Sequence, residues 1–182
     1  MSNDIVAAFK ALSLHRMAGA WPEMLGTART KSLDVETVMH QLLKAERAQR
    51  EVRSMAYQMR AARFPSHRDL AGFAFDQASV DEALVRELHQ MKFLDSAHNV
   101  VLVGGPGTGK THLATSLGIE AIREHGKRVR FFSTVELVNT LEQEKVQGKA
   151  GQMAHRLMYA DLVILDELGY LPFTQSGGAL LF

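Results

Sequence analysis

Residues 99–111 read NVVLVGGPGTGKT, from Asn99 to Thr111, and the fold turns on this stretch. Its last eight residues match the phosphate-binding P-loop pattern G-x-x-x-x-G-K-[ST]. The apolar run before them has the composition of a buried strand, and a helical pattern follows. Gly104, Gly105, Pro106, Gly107, Thr108, Gly109, Lys110, Thr111 and His112 therefore form a candidate nucleotide cradle. Its glycines permit backbone angles that a side chain forbids and let N–H groups approach phosphate oxygens. In such a cradle Lys110 reaches the terminal phosphates and the Thr111 hydroxyl sits on magnesium. The helix opening at Lys110 turns its positive end toward the same anion. For His112, a helix residue that packs or faces solvent is a better reading than catalysis.

A glycine-rich turn with an accidental lysine is the bland alternative, and a second element argues against it. Asp161-Leu162-Val163-Ile164-Leu165-Asp166-Glu167 is a buried-strand run that ends in two acids. An acid at such a strand end, Asp166, can hold the water shell of magnesium. The next acid, Glu167, is placed to act as general base on an attacking water. Read alone, Glu167 is a solvated strand-end charge; read together with the P-loop, it is a catalytic candidate.

Composition sets the outer bounds. With 182 residues the chain has room for one mid-sized domain, or a domain with a small appendage. A net charge of +1 gives no global attraction to nucleic acid, so any basic surface must be local. The absence of cysteine excludes disulfides, thiol nucleophiles and cysteine-ligated zinc, and it fits a reducing, cytoplasmic setting. The N-terminus lacks the apolar core of a secretory signal. No stretch approaches the ~20 apolar residues of a membrane span.

Along the chain, residues 4–26 predict one or two short amphipathic helices punctuated by Gly19 and Trp21-Pro22. A long helix is expected from about residue 33 to Arg63, with Val38, Leu42, Ala45, Ala48, Val52, Met55, Ala56, Met59 and Ala62 on its apolar stripe. Met55 and Met59 read as core. Arg47, Arg50, Arg53 and Arg60 fall largely off the stripe. They form either a solvated face, partly paired with Glu46 and Glu51, or a set of phosphate contacts. Residues 66–78 are a loop. Ser79 and Glu82 suggest a capping box for a helix to about Leu94. After the P-loop come a helix over 110–125 stopped by Gly126, a strand over 128–133, a helix capped by Ser133 and Glu136, a break between Gly148 and Gly151, a helix over 152–160, and the Asp166 strand. This alternation is that of a parallel sheet flanked by helices, hence an α/β fold. Phe73 and Phe75 line either an adenine pocket or a core. Tyr170 belongs near a nucleotide or a neighbouring subunit. His125 and His155 are too isolated for a metal site.

The runs NVVLVGGPGTGKTHLATSLG (99–118) and DLVILDELGYLPFTQSGGALLF (161–182), with QMRAARFP (58–65) and FAFD (73–76), resemble the IstB family, the ATP-binding helpers of insertion-sequence transposition. The helicase loader DnaC and the initiator DnaA are similar in the ATPase core, and a DnaC-like loader is the alternative function. The resemblance implies an AAA+ ATPase that binds ATP and magnesium, grips double-stranded DNA, assembles as a homo-oligomer on it, and stimulates a partner transposase. It implies that residues 104–111 bind phosphates, that Thr111 and Asp166 hold magnesium, that Glu167 with Lys110 is catalytic, and that Arg47, Arg50, Arg53 and Arg60 contact DNA. The expected organisation is a helical DNA-binding and assembly region over 1–65, a linker loop and short helix over 66–98, and an AAA+ core over 99–182. Gly105 stands where the family usually has proline. The family also continues past Phe182 with a sensor strand, an arginine finger and a lid. The chain is therefore expected to be a C-terminally incomplete core with impaired hydrolysis, or a non-catalytic nucleotide-binding remnant.

Overall fold

The computed structural model describes residues 2–169 and divides into two compact units, Met1–Ala56 and Tyr57–Phe182. The first unit contains helices α1 (Ser2–Ala11) and α2 (His15–Lys31) and most of α3 (Val35–Ala62). Ser13 in the left-handed region (φ 59°) closes α1, and Leu14 N–H returns to the Phe9 carbonyl at 2.8 Å. Ser32 (φ 51°) closes α2 in the same way. Asp34 then starts α3 by accepting the Thr37 N–H at 2.6 Å. Met17, Val38 and Leu42 form the buried centre, with Phe9, Leu14, Trp21 and Met24 packed around them. Phe9 and Trp21 meet edge to face at 5.8 Å.

The expected breaks at Gly19 and Trp21-Pro22 do not occur, because α2 runs through both. Proline costs one ladder bond, whereas Trp21 and Met24 on the same helix bury apolar surface in this core. The long α3 stripe is covered only in part: Val38, Leu42 and Ala62 are buried, while Ala48, Val52, Met55 and Ala56 are exposed. Met55 is thus not core, whereas Met59 packs on the core of the second unit.

In the second unit, 3-10 turns at Leu70–Gly72 and Phe75–Gln77 lead to α4 (Glu82–Leu88) and α5 (Lys92–Asp95). These are two helices where the sequence suggests one, because Met91 takes a left-handed conformation (φ 57°) and is buried. The cap of α4 is Asp81, which accepts from Ala83 N and Leu84 N, and not Ser79. Then follow α6 (Lys110–Arg123), β1 (Val129–Ser133), α7 (Thr134–Val146), α8 (Gln152–Leu157) and β2 (Leu162–Asp166). The strands pair in parallel, with Val129 opposite Leu162 and Ser133 opposite Asp166. A parallel pair needs a crossover between its strands, which α7 and α8 supply. The core lies where α6 packs on the sheet: Leu117, Ala121, Ile122, Val129, Phe131 and Ile164 meet Ala62 and Met91. Gly118 permits this approach, since a Cβ there would stand 2.7 Å from Phe64 Cε1 and 2.9 Å from Ile164 Cδ1.

The fold is thus helix-rich α/β with a two-stranded parallel sheet among the described residues. Residues 99–103 are not a strand. No ladder joins them to β1 or β2, and Val101 and Val103 are 77% and 90% exposed. Apolar composition favours a strand only where a neighbouring strand takes up its N–H and C=O groups. The expected capping box at Ser133 is also absent, because the Ser133 hydroxyl has another partner, described below.

Candidate functional site

The loop between residue 103 and α6 has the backbone a phosphate cradle requires. Gly107 (φ 73°) and Gly109 (φ 88°) lie in the left-handed region, and α6 begins directly after Gly109. The Thr108 hydroxyl donates to the Gly105 carbonyl at 2.9 Å and tightens the turn. Lys110 Nζ folds along the loop and donates to the carbonyls of Gly104 and Gly105 at 2.8 and 2.6 Å. The first N–H groups of α6 and the Lys110 ammonium therefore serve one small loop, an arrangement suited to a polyphosphate.

The end of β2 approaches the start of α6. Thr111 Oγ1 donates to Asp166 Oδ2 at 2.7 Å, although the two residues are far apart in sequence. A hydroxyl and a carboxylate oxygen side by side are hard donors of the kind magnesium prefers. They are the residues that could hold a magnesium ion, with phosphate oxygens and water as further ligands. Among the described residues there is no group of three or more His, Cys, Asp or Glu arranged to hold a metal.

Glu167 follows Asp166 with φ 63°, a left-handed conformation unusual for a residue with a side chain. Its N–H donates to Asp166 Oδ1 at 2.9 Å, and its Oε2 accepts from Ser133 Oγ at 3.2 Å. Thr134 Oγ1 donates to the Asp166 carbonyl at 2.6 Å. No local motif marks Ser133 and Thr134 as site residues. The signal for them is register: two strands that end Ser-Thr and Asp-Glu, paired in parallel at Ser133 and Asp166, put the hydroxyls beside the acids.

On the other side of the P-loop, His112 Nε2 lies 2.7 Å from the Asp69 carbonyl oxygen. Phe73 meets His112 edge to face at 5.2 Å and Phe75 at 4.9 Å, and the Arg86 guanidinium stands 5.7 Å over Phe75. Phe73 and Phe75 therefore pack beside the P-loop as a half-buried cluster. Tyr170 lies outside the described residues.

Of the four arginines on α3, two have carboxylate neighbours. Arg50 Nε bonds Glu46 Oε1 at 3.0 Å, and Arg47 is 3.8 Å from Glu51. Glu46 is nearly buried, and its Oε2 accepts the N–H groups of Arg16 and Met17 at the start of α2, where Leu14 offers no side-chain cap. Burial alone would raise the Glu46 pKa. The Met17 N–H, the Arg50 guanidinium and the Arg16 N–H outweigh it and hold the carboxyl below its usual value. Arg50 thus backs a structural cap. Arg53 and Arg60 are exposed, and among the described residues no carboxylate pairs with them.

Known proteins are similar to this chain over nearly all of its length. An ATP-binding protein of insertion sequence IS21 from Pseudomonas aeruginosa is 33% identical over 181 residues, which is 99% of this chain and 68% of that protein. The corresponding protein of IS5376 from Geobacillus stearothermophilus is 34% identical over 172 residues, 94% of this chain and 68% of that protein. That of IS232 from Bacillus thuringiensis subsp. berliner is 28% identical over 173 residues. The family described as IstB-like ATP binding protein matches residues 7–182. Its span takes in the P-loop, the Asp166 strand and both units, and the chain belongs to the IstB-like ATP-binding protein family.

Proposed function

We propose that this protein is an ATP-dependent helper of insertion-sequence transposition. In this reading it binds ATP with magnesium at residues 104–112, binds double-stranded DNA through the basic part of α3, assembles with copies of itself on that DNA, and stimulates a partner transposase. The observation that carries the reading is the 2.7 Å bond between Thr111 and Asp166, which joins the P-loop to the acid at the end of the strand. The insertion-sequence names of the relatives supply the transposition context.

The residues fit the chemistry. Lys110 and the N–H groups at the start of α6 neutralise and orient the β- and γ-phosphates. Thr111 and Asp166 would hold magnesium, which when bound supplies charge neutralisation for the leaving diphosphate. In hydrolysis, expected above to be impaired, Glu167 would accept the proton of the water that attacks the γ-phosphorus, the bond to the bridging oxygen would break, and ADP and phosphate would leave. Ser133 holds the Glu167 carboxylate in place. For DNA, exposed Arg53 and Arg60 are free to meet phosphates. Arg47 does so on releasing an exposed ion pair of little strength, whereas Arg50 is engaged with Glu46.

Titration of the chain with ATP in the presence and absence of magnesium tests the first half. Fluorescence anisotropy with duplex DNA of random sequence over a range of salt tests the second. Binding is expected to be sequence-tolerant and to weaken linearly on a log–log salt plot, because phosphate contacts release counterions. Failure to bind ATP sinks the nucleotide assignment, and a flat salt dependence sinks the DNA assignment. Co-purification with a replicative helicase in place of a transposase would turn the reading toward a helicase loader.

A further inference from the structure

We infer that Phe73 and His112 are positioning residues that lock the phosphate-binding loop to the segment before it, so that phosphate affinity depends on a side chain outside the P-loop. The inference rests on the ATP-binding reading above and deepens it.

The contact begins at Gly109. A Cβ there would lie 2.6 Å from Phe73 Cε2 and 3.1 Å from Phe73 Cζ, so the ring is seated on the bare backbone of the last P-loop glycine. Gly109 is also the residue whose left-handed angles turn the loop into α6. One turn into that helix, His112 reaches back to the same segment. A carbonyl only accepts, so the His112 ring carries its proton on Nε2 and donates it to the Asp69 oxygen at 2.7 Å. Asp69 is itself fixed: its carboxylate accepts the Gly72 N–H at 3.1 Å and closes the 3-10 turn that presents Phe73. The outer side of the cluster is braced by Phe75 against Phe73, by Arg86 over Phe75, and by the hydrogen bonds of Arg86 to Glu82. Phe73 thus meets two rings and a glycine backbone. It is committed to the loop, and its part in nucleotide binding is to hold Gly109 and the N–H groups after it, with no need to touch a base.

This separates two roles that a simple loss of ATP binding would confuse. If Phe73 positions the loop, Phe73→Ala weakens magnesium-ATP and magnesium-tripolyphosphate by the same factor, about tenfold, comparable to freeing the backbone of one residue. Phe73→Leu, which still covers Gly109 but offers no aromatic face, restores most of the affinity for both. His112→Ala shifts both ligands in the same direction. Hydrogen–deuterium exchange of the wild-type chain, which needs no variant, should show residues 69–77 becoming more protected when tripolyphosphate binds.

Calorimetry on the full chain supplies the affinities, with circular dichroism to show that each variant is folded. Loss of ATP affinity with tripolyphosphate unchanged in Phe73→Ala would make Phe73 a base contact and overturn the inference, and no recovery of either ligand in Phe73→Leu would overturn it by showing that covering Gly109 is not what the ring supplies. So would exchange over 69–77 that ignores the ligand, or a wild-type chain that binds ATP but not tripolyphosphate. A wild-type chain that binds neither overturns the ATP-binding reading itself.

Discussion

The Thr111 hydroxyl hydrogen-bonds Asp166 Oδ2 across 2.7 Å, and this one contact brings the first turn of α6 to the end of β2. Asp166→Asn keeps the shape but removes the charge. The wild type is expected to bind ATP more tightly with magnesium than with EDTA. The variant should lose about 10- to 100-fold of the magnesium-dependent affinity, the range of a charge-assisted hydrogen bond. Calorimetry with and without the metal reads this, and an unaltered magnesium response would remove Asp166 from the site.

Two glycines predict opposite signs in thermal unfolding. Gly118→Ala forces a methyl into contact with Phe64 and Ile164 at under 3 Å and should destabilise by about 1–3 kcal/mol. Gly19, inside α2, has nothing within 4 Å of a Cβ, so Gly19→Ala should stabilise by about 0.5–1 kcal/mol. Equal effects at the two positions would contradict the close packing of α6 on the sheet.

Arg50 and Arg53 separate stability from DNA affinity. Arg50→Ala and Glu46→Gln disturb the cap of α2 and should lower the melting temperature, Glu46→Gln more so because Glu46 is nearly buried and holds two backbone N–H groups. Arg53→Ala should leave the melting temperature unchanged and reduce the slope of DNA binding against salt by roughly one phosphate contact. The Glu46 carboxyl is held below its usual pKa, so the stability it adds is present at neutral pH and fades as pH falls through its folded value. A melting temperature insensitive to Glu46→Gln would rule out the cap.

Asp161 ties the starts of the two strands. Its carboxylate receives Arg128 N, Nε and Nη2 at 2.7, 3.0 and 2.9 Å. The Arg128 side-chain hydrogen bonds, against some opposing burial, bring its pKa to about 2. A depressed acid adds stability above its unfolded value near 4 and loses it between about 4 and 2. Asp161→Asn should therefore melt earlier at pH 7, with the difference from wild type closing across that window. Parallel melting curves down to pH 2 would show that the pair contributes nothing.

The P-loop and the Asp-Glu strand end were legible because their chemistry lies in consecutive residues. The parallel strands at Val129 and Leu162 were legible as well, since short apolar runs between helices have few other homes. Features that depend on a distant partner were not legible. Val100 to Val103 have strand composition but no ladder, and the α3 stripe is covered at Val38 and Ala62 but not at Val52. The same limit explains Glu46, whose role as cap of α2 depends on a contact 30 residues away in the chain. Ser133 looked like a helix cap because the local pattern fits one, and only the register of the sheet shows it turned to Glu167.

Glu167 sits where glycine would be more comfortable. Its left-handed backbone (φ 63°) costs a residue with a side chain about 1–2 kcal/mol. Selection for thermostability alone would drift toward glycine or asparagine at 167, and the hardier protein would have discarded the acid proposed above to take a proton from water. On the proposed role of Glu167, stability and function therefore pull against each other at this single backbone angle. Any effort to make the protein more robust should leave it alone.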